Sequence, residues 1–275
     1  MTIRKIFNAD DFGISKGVNA AIVKAHKEGI LNSASLMVNQ KYADEAVSLV
    51  KDMPDLALGL HLNLTNEYPT SKKEDIPLLV DENGKLKNGF VNLLLLSILH
   101  EKEFSEQIEK EVRAQVQKYL SFGLTLNHID GHRHVHLIPA VFQEVKKIAE
   151  AHQGARIRIM NENIFNTVRQ NKSKSWLFDG GVIKYIILRL LTWWNGYKSD
   201  TYFYTILYTC KLSKAQFENV RIPQGYKAVE VMIHPATPDI DRAHLADVWD
   251  ESVLSPYRTQ ELGVLLDKNV FEGIN

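Results

Sequence analysis

Cysteine is almost missing from this chain: Cys210 is the only one in 275 residues. No intrachain disulfide can form, so a reducing compartment is allowed, and the cysteine-rich zinc motifs are excluded. The thiol itself reads as a small buried hydrophobe rather than a nucleophile. Excess charge of either sign is missing too. Lys+Arg and Asp+Glu number 33 each, which leaves no electrostatic footprint for nucleic acid or for an anionic membrane.

Long hydrophobic runs are also lacking. The start, MTIRKIFNADDFG, has a very short apolar stretch before two acids and does not read as a signal peptide. Residues 90–99 and 182–194, the latter interrupted by Lys184 and Arg189, fall short of the roughly 18–20 apolar residues that span a bilayer. Both are expected as buried or interface helices, and a cytoplasmic location is the default expectation. Trp193-Trp194 offers two readings, plain core packing or an exposed patch that pairs subunits into a homo-oligomer.

Histidine, in contrast, is concentrated. Four of the ten fall within residues 128–136, beside Asp130. Neutral imidazole is the commonest ligand for transition metals, and aspartate supplies an anionic partner. A solvated His-rich turn is the bland alternative, and the metal reading leads.

Strand and helix patterns alternate along the chain. Strands are expected near residues 3–9, 35–38, 56–64, 124–129, 155–160, 202–209 and 228–233. Helices are expected near 17–27, 43–51, 90–100, 105–122 with Ser105 as N-cap, 139–151, 213–220 and 259–268. No repeat or low-complexity linker divides residues 1–275, which read as a single domain. The hardest stretch to read is 161–213. Alternation of this kind implies an α/β fold with a mainly parallel sheet, because parallel strands need crossovers. At this length the leading architecture is a distorted, TIM-barrel-like (β/α) barrel, and a doubly wound open sheet is the runner-up.

Each notable polar cluster follows an expected strand. Asp10 and Asp11 come after the first, His61 near the end of the third, Asp130 and His132 after the fourth, and His234 after the last. In parallel α/β folds those strand ends share one face, where active sites form. Two adjacent buried acids repel unless a cation neutralises one. A turn or helix N-cap would explain the pair equally well in isolation, and His61 or His234 alone would read as a hydrogen-bonded core histidine. Their joint placement favours a metal site with a spare acid. Strand geometry would align His132, His134 and His136, helical geometry would pair His132 with His136, and spacing leaves the choice open. His26, His100, His152 and His244 sit in polar helical contexts and are expected to be exposed.

Four segments carry a resemblance: NADDFGISKGVNAAI at residues 8–22, LGLHLNLT at 58–65, HIDGHRHVHLIP at 128–139 and VMIHPA at 231–236. In order and separation they resemble the YdjC-like carbohydrate deacetylases, which include chitooligosaccharide deacetylases; only 161–213 departs from the pattern. The resemblance implies a distorted (β/α) barrel, a divalent metal and removal of an N-acetyl group from an acetylated amino sugar. It implies that Asp11, His61 and His132 are the metal ligands, Asp10 the general base, His234 the general acid, and Asp130 an acid that orients the site. It leaves magnesium open, while histidine ligands suit zinc. The divergent segment would then line the cleft that selects a small carbohydrate. Another metallohydrolase, such as an amidohydrolase or phosphoesterase, is one competing class. An amidohydrolase would usually place a His-x-His pair where this chain has Asp10-Asp11, and phosphate hydrolysis favours a second metal. A non-enzymatic, metal-dependent sugar-binding protein would explain the ligands but not a spare Asp10 and a distant His234.

Overall fold

The computed structural model describes residues 3–171, 181–218 and 220–274. Seven parallel strands form one sheet: β1 (Arg4–Phe12), β2 (Ser33–Leu36), β3 (Ala57–Leu62), β4 (His128–Gly131), β5 (Arg156–Ile157), β6 (Thr201–Tyr204) and β7 (Ala228–Ile233). Their order is β5-β4-β3-β2-β1-β7-β6. Apart from β5 and β6, each strand neighbours the next in sequence, and the last pairs with the first, which is the cyclic order of a barrel. Among the described residues the ring stays open between β5 and β6. The doubly wound alternative is thereby replaced by a curled half barrel.

The helices in chain order are α1 (Lys16–Glu28), α2 (Ala43–Val50), α3 (Phe90–Leu99), α4 (Glu101–Ser121), α5 (Pro139–Ala151), α6 (Ile164–Gln170), α7 (Gly181–Trp194), α8 (Pro238–Arg242), α9 (Pro256–Leu265) and α10 (Asn269–Glu272). Local chemistry explains several ends. Ser15 caps α1 by accepting from the Val18 N–H. Pro139 opens α5, where its missing N–H costs little. Val18, Ala21, Ile22 and Ala25 recur at helical spacing and are the buried stripe of α1.

The two faces of the sheet differ sharply. Phe7 and Ala9, Ala34 and Leu36, Leu58 and Leu60, Ile129, Ile157, Val229 and Val231 are buried in the apolar core. The intervening positions carry Asn8 and Asp10, Ser33 and Ser35, His61, His128 and Asp130, and Glu230, all buried as well. Period-two alternation therefore sorts the strands into one apolar face and one polar concave face. The curl is what makes the polar face habitable. Laid flat, β5 and β1 would stand about 19 Å apart, four strand spacings. Arg158, one residue beyond β5, nevertheless bonds Asp10 on β1 and Glu230 on β7 at 2.7 Å each.

Several sequence-based expectations shift. The helix expected from Ser105 begins at Glu101, because the Leu99–His100 break between α3 and α4 is tighter than the pattern suggested, so Ser105 is interior rather than a cap. The fourth strand begins four residues and ends two residues later than expected, which places Asp130 in β4 itself. The strand expected over 202–209 stops at Tyr204, where Thr205 turns with φ +99°. The helix expected over 213–220 shrinks to one short turn at Lys214–Phe217. His100 and His244 are exposed, whereas His26 and His152 are half-buried on the Leu31 and Ile148 carbonyls. Of the two expectations for α3 and α7, burial within this chain does not hold, since Ile98, Leu99, Trp193 and Trp194 are 67–77% exposed; an interface helix stays as the expectation. No helix among the described residues is long and apolar enough to cross a membrane.

Candidate active site

The site begins with an irregularity in β1. Ala9 pairs with Ala34 and Phe12 with Leu36, so three steps on β1 oppose two on β2. A bulge of this kind re-aims side chains. Asp11 takes φ +69°, a conformation disfavoured for residues with a Cβ. In a regular strand Asp10 and Asp11 would face opposite sides; here both are buried on the polar side, 2% and 1% exposed.

Asp11 is the centre of one cluster. Its Oδ1 lies 3.0 Å from His132 Nδ1 and 3.4 Å from His61 Nε2, and its Oδ2 accepts from Arg258 Nη2 at 2.7 Å. Burial opposes ionisation, yet Arg258, His132 and His61 together hold this carboxyl well below the usual carboxylate range. Ligand atoms of Asp11, His61 and His132 all lie within 4.8 Å of one another. One carboxylate and two imidazoles are a donor set suited to a divalent cation. Buried His132 Nε2 has no hydrogen-bond partner. Burial works against protonation of His61, but Asp130 and Asp10 push its pKa up to about 10. That surplus of negative charge is what a cation would neutralise. A second grouping, Asp10, His61 and Asp130, has similar spacing. There Arg158 engages both oxygens of Asp10 and also Asp130, whereas Arg258 takes only Oδ2 of Asp11 and leaves Oδ1 to the two imidazoles, so Asp11, His61 and His132 fit a metal better.

Asp130 orients His61, accepting from or sharing a proton with its Nδ1 at 2.8 Å. It also accepts from Ser35 at 2.7 Å and meets Arg158 Nη2 at 2.5 Å. A carboxylate behind a ligating imidazole fixes its tautomer and direction. Asp10 is held by Arg158 through two parallel bonds of 2.7 Å and by Asn8 Nδ2 at 2.9 Å. Asp10 Oδ1 therefore takes two donors and Oδ2 one, leaving Oδ2 the oxygen with capacity to spare. That oxygen stands 3.9 Å from His234 Nε2.

His234 projects from the end of β7, and its backbone N–H donates to Glu261 Oε2 at 2.5 Å. Its Nδ1 lies 3.7 Å from the same carboxylate. Burial disfavours its charge, but Cys210, Glu261 and Asp10 raise its pKa well above the usual histidine range. The Cys210 thiol is half-buried beside this imidazole, a more polar setting than the buried hydrophobe expected.

The other two clustered histidines stand apart. After β4 the chain turns through Arg133 and His134 with φ +54° and +61°, a geometry that is neither strand nor helix. His136 Nε2 meets the Arg158 carbonyl at 3.0 Å, and burial pulls its pKa down to about 4. His134 is likewise held far below the usual range by burial, with Lys184 adding to the effect. Arg158, Arg258, Glu261, Glu230 and Asn8 did not emerge from the sequence. The alternation of polar residues along β1, β2, β4 and β7 was the available signal for Asn8 and Glu230. The two arginines and Glu261 reach the site from segments whose local patterns are ordinary.

A parallel α/β half barrel with carboxylates, imidazoles and arginines converging at its strand ends defines the class: a barrel-type protein built around an acid–base site. The chain belongs to the YdjC-like protein family, whose pattern matches residues 4–275. It is 36% identical to a carbohydrate deacetylase of Brevibacillus brevis, over 96% of this chain and 91% of that one. It is 32% identical to a carbohydrate deacetylase of Clostridium beijerinckii, over 99% and 95%. A crystal structure of an Enterococcus faecalis V583 protein named for cellobiose-phosphate cleavage has the same fold, with a TM-score of 0.68 and 24% identity over 99% of this chain and 94% of that one.

Proposed function

We propose that this chain is a metal-dependent hydrolase that removes the N-acetyl group from an acetylated amino sugar or short oligosaccharide, giving acetate and a free amine. The observation that supports it most is the pairing of roles at one edge: a carboxylate–imidazole nest at Asp11, His61 and His132, with Asp10 and His234 beside it but outside it. A divalent cation held in that nest would polarise the acetamide carbonyl. Asp10 Oδ2 takes a proton from the attacking water as the new C–O bond forms. His234, carrying the proton that its surroundings favour, passes it to the nitrogen as the C–N bond breaks, and the amine leaves neutral. Asp130 and Arg158 keep His61 and Asp10 aimed. The imidazole pair suits zinc by ligand softness, and magnesium is the expectation from family resemblance.

We further take residues 1–275 to act as one domain, since a single sheet positions every group named. The exposed Trp193 and Trp194 keep self-association as an expectation that sedimentation velocity tests directly. The reaction itself is tested by metal analysis of the purified protein, followed by acetate release from N-acetylated oligosaccharides with and without chelator. Acetate released at an unchanged rate after the metal is stripped would overturn the metal requirement. No release from any N-acetylated sugar by metal-replete protein would overturn the activity.

A further inference from the structure

We propose that Arg258 is a catalytic residue whose Nη1–H donates to the acetyl oxygen as that oxygen gains negative charge, and then to the departing acetate. The inference rests on the deacetylase reading of the neighbouring groups and adds a donor to them. Arg258 is 3% exposed, and its Nη1 is buried without a partner. A buried donor in that state is costly, and native structures hold few of them.

The rigid, planar fork of the guanidinium fixes where the free hydrogen points. Along one edge Nε donates to the Ser252 carbonyl at 3.1 Å and Nη2 to Ser252 Oγ at 3.2 Å. The end of the fork, formed by Nη1 and Nη2, is then directed at Asp11, where Nη2 reaches Oδ2 at 2.7 Å. One Nη1–H runs parallel to that bond. Arg158 shows the contrasting case: it grips Asp10 with both Nη1 and Nη2 at 2.7 Å, the bidentate geometry of a pair that holds a carboxylate. Arg258 spends one arm on Asp11, whose Oδ1 is turned to His61 and His132. The other arm is left for an oxygen that no described residue supplies.

Helix α9 ties this donor to the acid. Arg258 and Glu261 are three residues apart and share a helix face. Arg258 reaches Asp11 while Glu261 accepts the His234 N–H at 2.5 Å. The Arg258 carbonyl also accepts the N–H of Ala236, two residues beyond His234, at 3.3 Å. One helix face thus sets a donor for the acetyl oxygen and a donor for the leaving nitrogen at the same edge. A charged N–H held in place by burial suits an oxygen that becomes anionic better than a neutral sugar hydroxyl, and it needs no reorganisation as charge develops. The acetate that leaves is a carboxylate, the group a guanidinium arm matches.

Two measurements on the full-length protein separate this role from support of Asp11. Arg258→Lys keeps a cation for Asp11 but has no planar second arm, and Arg258→Gln removes the charge. Bound metal is measured by dialysis, turnover of an N-acetylated oligosaccharide is expressed per bound metal, and melting temperature shows whether each variant is folded. In Arg258→Lys, kcat per bound metal is expected to fall about 100-fold or more with KM nearly unchanged, the scale of one lost oxyanion donor. Calorimetry with sodium acetate on the metal-loaded protein reads the same donor without turnover. The parent is expected to bind acetate at millimolar concentration, and both variants about tenfold more weakly. A per-metal kcat within about threefold of the parent in Arg258→Lys, unchanged acetate affinity in a folded variant, or no acetate binding by the parent overturns the assignment. If no substrate releases acetate, the deacetylase reading falls, and acetate binding that depends on Arg258 still supports the donor.

Discussion

Replacing Arg158 with leucine isolates the interaction on which the polar face depends. The guanidinium is fully buried and makes bonds of 2.7 Å to Asp10 Oδ1, Asp10 Oδ2 and Glu230, and meets Asp130 at 2.5 Å. Leucine matches much of the side chain's apolar length but leaves three carboxylates without their shared cation. Removing one partner of a buried ion pair costs about 3–5 kcal/mol, because the remaining charge is buried uncompensated. Folded domains are stable by only about 5–15 kcal/mol in total, so the variant should be close to unfolding at pH 8. The sign of the pH dependence follows from the charges. In the parent, Asp130 is desolvated by burial yet held well below the usual range by Arg158 and His61. That depressed pKa gives stability present above the unfolded carboxylate value and lost only as pH falls through the lower folded value. Without Arg158 the burial that opposes ionisation of Asp130 is left less balanced, so the variant's penalty is largest at high pH and relaxes as that carboxyl protonates. Urea unfolding at pH 8 and pH 5 should therefore show a deficit of about 3–5 kcal/mol that shrinks clearly at the lower pH. A deficit below about 1 kcal/mol, the scale of a single ordinary hydrogen bond, or one identical at both pH values would refute the reasoning.

Metal content, measured by equilibrium dialysis, should fall sharply in Asp11→Ala, His61→Ala and His132→Ala and little in His134→Ala or His136→Ala; loss in His136→Ala with normal content in His132→Ala would reverse the ligand assignment. Asp10→Asn should retain metal while losing about two to four orders of magnitude in acetate release, and near-parent activity in metal-replete protein would remove it as the base. His234→Ala should lower turnover of acetamide substrates far more than of an activated aryl acetate, whose leaving group needs little protonation; equal losses with a large drop in melting temperature would mark His234 as merely structural. Glu162 is fully buried, and burial lifts its pKa from 4.5 to about 7 against bonds from Thr167 and the Ile206 N–H. Its folded pKa exceeds the unfolded one, so its charge costs stability above pH 7 and the cost is gone below pH 4.5. Glu162→Gln should gain roughly 1–3 kcal/mol at pH 8 and nothing near pH 4, and a loss at pH 8 would show that the carboxylate itself is needed.

The chain by itself determined the alternation of strands and helices and the placement of Asp10, Asp11, His61, Asp130, His132 and His234 near strand ends. Both are local properties: apolar periodicity over a few residues, and polar clusters at the points where it stops. The internal polarity of the sheet was half visible, since Asn8, Ser35 and Glu230 alternate with apolar neighbours, but nothing local says that alternate positions meet across a curled interior. Tertiary structure decided the rest. Adjacent acids meet on one polar side of the sheet only because β1 bulges and Asp11 adopts φ +69°, a strain that no propensity favours and that the surrounding bonds must hold. His132 turns toward Asp11 while His134 and His136 turn away because the chain after β4 follows neither strand nor helix, so neither period could select among them. Arg158 lies 148 residues from Asp10 in sequence and Arg258 lies 247 from Asp11. Charges that far apart along the chain become partners only when curling of the sheet and the return of the segment after β7 exclude the water that would otherwise screen them.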